Sequence, residues 1–107
     1  RHEQGIALVA RGRAYWLGGD LEAAEADLRA AIDLLIPLQA ACDLASAWLL
    51  LAALRAARGT PFAELRTAWL EAVSRIVSGG HVFLLEQERA LAFPLLASFL
   101  IAVTLRR

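Results

Sequence analysis

Among the 107 residues of this chain, His81, Glu86 and Glu88 are the group whose types could hold a metal ion. Imidazole and carboxylate are ordinary ligands, but they must converge on one point. Spacings of five and two put the three side chains on different sides of a helix, so a solvated turn is expected there rather than a metal centre. Hydrolytic chemistry needs a nucleophile held against a base and an acid. Ser46, Ser74, Ser78 and Ser98 have two histidines to draw on, His2 near a frayed end and His81 after a glycine turn, and no spacing joins them into a triad. A glycine-rich phosphate loop of the Walker type is absent. Cys42 lies among Ala40, Ala41 and Leu44, the setting of a small buried thiol. The expectation is a protein that is not an enzyme, with no catalytic residue, no metal and no cofactor.

Composition narrows the alternatives. Apolar residues make up 59% of the chain, above the usual half, which is ample for a core. Eleven arginines balance eleven acids, so the chain lacks the basic field that phosphate neutralisation requires, and direct nucleic-acid contact is not expected. Lysine and asparagine are absent beside abundant Ala, Leu, Arg and Gly, a codon signature of a GC-rich bacterial genome. One cysteine cannot form a disulfide framework, which fits a reducing cytoplasm. The chain begins at Arg1 and has no methionine, so it is expected to be a segment of a longer protein. No secretion signal is visible.

The elements that must position any site are helices. Leu21, Ala24, Leu28, Ala31, Ile32 and Leu35 recur at intervals of three and four, one apolar stripe. Phe62, Leu65, Trp69, Ala72, Val73 and Ile76 do the same, each 41 residues beyond its counterpart. Upstream, Leu8 matches Trp48, Gly12 matches Ala52, Trp16 matches Ala56 and Gly19 matches Gly59, at a spacing of 40. One extra residue near Thr60-Pro61 reconciles the two spacings, and an internal repeat follows. Gly18-Gly19 ends a first helix and Asp20 caps the next. Gly59 ends a third, Thr60 is expected to cap the fourth, and Pro61 suits its first position. Glu25 and Arg29 are spaced to pair along one helix. The expected fold is all-α: helices over 4–18, 21–38, 43–58 and 61–77, then a shorter pair over 82–92 and 95–105. The repeat units are 4–39 and 43–78, with a partial unit over 81–106.

The stretch Arg11–Ile32, RGRAYWLGGDLEAAEADLRAAI, resembles a tetratricopeptide repeat. Gly12 stands at its small position, Tyr15 at its aromatic, Gly19-Asp20 at its turn, and Ala24 and Ala31 flank a bulky Leu28. In the second unit Trp48, Leu51, Ala52, Gly59, Trp69 and Ala72 fit, while Arg55 replaces the aromatic. The closing proline is displaced to Pro37 in the first unit and missing in the second, and the period exceeds the family's usual length of about 34. The third segment, SGGHVFLLEQERALAFPLL from Ser78 to Leu96, looks like the tail of the helical repeats in large bacterial transcriptional activators of the MalT/LuxR type. That resemblance implies a sensor or interaction module, with the nucleotide-dependent switch and DNA-binding domains elsewhere in the protein.

Tetratricopeptide geometry would turn Ile6, Val9, Arg13, Trp16 and Leu17 of the first helix toward a concave groove. Ser46, Leu49, Ala53, Ala56 and Ala57 would face it from the third. An aromatic beside an arginine is a common partner anchor, so Val9, Arg13, Trp16, Leu17, Leu49 and Ala53 form the expected binding face. Trp48 and Trp69 belong to the packing stripes. The expected partner is a protein, a small effector or another domain of the same chain. Residues 90–105 carry no charge but fall short of the roughly 20 apolar residues of a membrane span and contain Pro94; no membrane contact is expected. An alternative role is structural: Phe93, Leu96, Phe99, Leu100 and Val103 make one helix face that could join two copies as a homodimer.

Overall fold

In the computed structural model, residues 2–81, 84 and 87–89 are described. They form α1 (His2–Leu17), α2 (Leu21–Leu35), α3 (Ala41–Ala57) and α4 (Phe62–Ser78), with no strand among them. The all-helical expectation is met. Of the helix expected over 82–92 only residues 84 and 87–89 are described. The helix over 95–105 and the stripe Phe93, Leu96, Phe99, Leu100 and Val103 lie outside the described residues.

Each helix end is closed by a residue with positive φ followed by a backbone bond back across the turn. Gly19 (φ 88) lets Asp20 N donate to Tyr15 O at 2.9 Å, and Gly59 (φ 71) lets Thr60 N donate to Arg55 O at 3.0 Å. Gly80 (φ 72) does this for His81 N and Ile76 O at 2.8 Å. Gln39 takes φ 54 at the α2–α3 turn, where glycine would be the cheaper residue. Asp20 caps α2 as expected, its Oδ1 accepting from Ala23 N at 3.1 Å. Thr60 does not cap α4. The residue preceding that helix is Pro61, which makes no side-chain cap bond. The helix thus starts one residue too late for the Thr60 hydroxyl to serve it. α2 also stops at Leu35 rather than 38, because Pro37 has no N–H to continue the ladder to Asp33.

Packing runs in sequence: α1 on α2, α2 on α3 and α3 on α4. α3 is rich in Leu and Ala and is buried on two sides. One side, with Leu44, Ala47, Leu50, Leu51 and Leu54, shares a cluster with Ala24, Leu28, Ala31, Ile32 and Leu35 of α2. The other, with Ala45, Leu49, Ala52 and Ala53, shares a second cluster with Leu65, Ala68, Trp69, Ala72 and Ile76 of α4 and with Leu84. Each fully buried leucine is worth roughly 1.5–3 kcal/mol relative to exposure, so α3 holds the two hairpins together. α1 contributes less bulk and comes closer. A Cβ on Gly5 would stand 2.6 Å from Leu35 Cδ2, and one on Gly12 3.3 Å from Ala24 O. Trp69 is core, as expected; Trp16 and Trp48 are half-buried and each touches both clusters.

Candidate partner-binding face

Arg13 and Trp16 lie about one helical turn apart on α1. The Arg13 guanidinium reaches out of the helix to Glu88, with Nη2 to Oε1 at 2.7 Å and Nη1 to Oε2 at 3.3 Å. The Glu88 carboxylate is nearly enclosed, whereas the Arg13 side chain keeps 41% of its exposure. Trp16 is half-buried and packs against both apolar clusters. Val9 is half-buried against the α2–α3 cluster, and Leu17 at the helix end is 84% exposed. These four residues are at least partly accessible on α1.

The α3 half of the expected face is different. Leu49 is 0% and Ala53 6% exposed, so neither is displayed. The cause is that α3 is apolar on two sides: α2 takes one face, and α4 with Leu84 covers the other. Ser46 and Ala56 are half-buried, and Ala57 and Ile6 are exposed.

Several polar contacts were not foreseen from spacing. Arg11 grips the buried Asp27 through Nε at 2.7 Å and Nη2 at 2.9 Å, while its guanidinium carbon sits 5.9 Å from the centre of the Tyr15 ring. The Arg11 hydrogen bonds hold the Asp27 carboxyl below its ordinary range, against the opposing effect of desolvation. The same bonds raise Arg11 above its own. A sequence signal existed: Asp27 is an acid on the apolar α2 stripe, three residues from Ala24 and four from Ala31. Glu25 does not turn to Arg29. It binds Arg58 at 2.9 Å and approaches Arg55 at 4.0 Å, so Arg55 links α3 to α2. His2 starts α1 rather than fraying, with Nε2 2.6 Å from Asp43 Oδ2.

Of the trio considered for a metal, Glu88 is engaged by Arg13 and Glu86 lies outside the described residues. No group of three or more His, Cys, Asp or Glu among the described residues is placed to hold a metal ion. Cys42 is half-buried against the α3–α4 cluster. Among the described residues no helix is long and apolar enough to cross a membrane. No family model, curated protein or solved structure matches this chain.

Proposed function

We propose that the chain is a non-catalytic interaction module of stacked helix-hairpin units, a tetratricopeptide-like array serving a bacterial transcriptional regulator in the cytoplasm. The observation that carries the array reading is the recurrence of burial at one offset. Ala24, Asp27, Leu28, Ala31 and Leu35 are buried in α2, and Leu65, Ala68, Trp69, Ala72 and Ile76, each 41 residues on, are buried in α4. The turn bonds of Asp20 and Thr60 recur at 40. Packing between sequence neighbours, with separate cores on the two sides of α3, is the way solenoid units stack. The regulator context rests on the resemblance of Ser78–Leu96 to activator repeats.

Binding falls to Arg13, Trp16, Val9 and Leu17. A protein, a small effector or another domain carrying a carboxylate would compete with Glu88 for the Arg13 fork and place apolar surface on Trp16 and Leu17. Such a ligand shifts the regulator between resting and active states to the extent that its affinity for the two differs. Leu17→Glu is the cleanest probe, because a side chain this exposed contributes little to the fold. Introduced into the natural chain in its host, Leu17→Glu or Arg13→Gln should change the same transcripts as deleting the protein, with protein abundance preserved. A transcript profile unchanged by both, at normal abundance, would overturn the reading.

A further inference from the structure

The two units are alike in their inner faces and unlike in their outer ones. On α3, Leu44, Ala47, Leu50, Leu51 and Leu54 are at most 4% exposed against α2. Forty residues earlier on α1 stand Gln4, Ala7, Ala10, Arg11 and Ala14, and all five are exposed. Four leucines have become glutamine, alanine, arginine and alanine. What remains there is an open groove of ≈ 420 Å³ lined by Gln4, Ala7, Leu8, Arg11 and Leu34. The pair Leu51 and Ala68 of the second unit corresponds to Arg11 and Asp27 in the first. An ion pair whose arginine side chain is 61% exposed therefore stands where the second unit has apolar atoms.

From this contrast we propose that the α1–α2 hairpin is the capping unit of the array. Further units stack on the α4 side only, and whatever chain precedes Arg1 does not continue the array onto α1. Two effects act together. A hairpin laid on α1 would find little apolar area to bury, since alanine and polar side chains replace leucine. It would also strip water from the Arg11–Asp27 pair, a desolvation cost that its existing bonds cannot recover. Arrays end in units with a polar outer face because an apolar one would stay exposed. Leu84, buried in the α3–α4 cluster, shows the chain continuing at the other end. The proposal rests on the array reading above.

The test is thiol accessibility in the complete natural chain with its native cysteines, Cys42 among them, replaced by serine. Single cysteines are placed by Ala7→Cys and Ala10→Cys on the outer face, by Ala47→Cys between α2 and α3, and by Ala57→Cys as an exposed reference. Reaction with N-ethylmaleimide is followed by mass spectrometry. The cysteines at 7 and 10 should react as fast as the one at 57, while that at 47 is slowed by more than about 100-fold, as opening a buried interface requires. Amide exchange at Leu50 in the unaltered chain reads the same interface should Ala47→Cys perturb it. Slow reaction at 7 and 10 beside a fast reference means that another unit or copy covers α1, and the capping proposal fails while the array stands. Fast reaction at 47 together with unprotected Leu50 means that α2 and α3 are not stacked, and both readings fail.

Discussion

Replacing Asp27 by asparagine would keep the size of the side chain and remove the charge that Arg11 holds. The folded carboxyl titrates below its ordinary range because it accepts two hydrogen bonds from Arg11. A group depressed on folding stabilises the protein above its unfolded value, about 3.9 for aspartate, and that contribution is lost as pH falls through the folded value. Asp27→Asn should therefore be less stable than the parent near pH 6, with the gap narrowing as pH is taken below about 4. Urea midpoints at several pH values check this, and a gap independent of pH would show that the charge is not the source. The effect is tempered by the water around Arg11. Asp27 was legible as an anomaly, an acid on an apolar stripe, but its partner was not. Arg11 is sixteen residues away on another helix, and only the close approach allowed by Gly5 and Gly12 brings the two together.

The helices themselves were open to reading because apolar period, glycine stops and the Asp20 cap agree with one another. Their edges depend on finer geometry. Thr60 has the right chemistry for a cap but sits one residue outside the helix that Pro61 introduces. Asp20→Ala should cost about 1 kcal/mol by losing the bond to Ala23 N, whereas Thr60→Ala should stay within about 0.5 kcal/mol. Thermal unfolding of the two variants side by side measures the contrast, and equal losses would mean that both side chains cap. Within α4, Trp69 fills the cluster shared with Leu49, Ala72 and Leu84. Trp69→Ala should cost about 3–5 kcal/mol in a urea titration; a loss below about 1 kcal/mol would place that stripe in solvent. The α3 side of the expected face is buried for a related reason. An apolar stripe identifies one buried side, and α3 has two, a difference carried by its nearly uniform Leu and Ala content rather than by any period. Local pairing also outran the fold, since Glu25 prefers Arg58 across the hairpins to Arg29 along its own helix.

At the scale of the whole molecule, eleven arginines balance eleven acids, and phosphate binding needs a basic excess. A mobility-shift titration of the segment at low salt should give no tight complex with duplex DNA, and salt-sensitive tight binding would contradict that. The arrangement of cores matters more. Four antiparallel helices can share a single interior as a bundle, or they can stack so that a middle helix divides two interiors. Here Ile32 of α2 belongs to one cluster and Ile76 of α4 to the other, with α3 between them. The most direct measurement is methyl nuclear Overhauser spectroscopy on protein labelled at Ile and Leu. Stacked units require cross-peaks from Ile32 to the Leu44, Leu50, Leu51 and Leu54 set, and from Ile76 to Leu49 or Leu84, with none between Ile32 and Ile76. A direct Ile32–Ile76 cross-peak, or Ile76 contacts to the α2-facing leucines, would reveal one shared core and contradict the array.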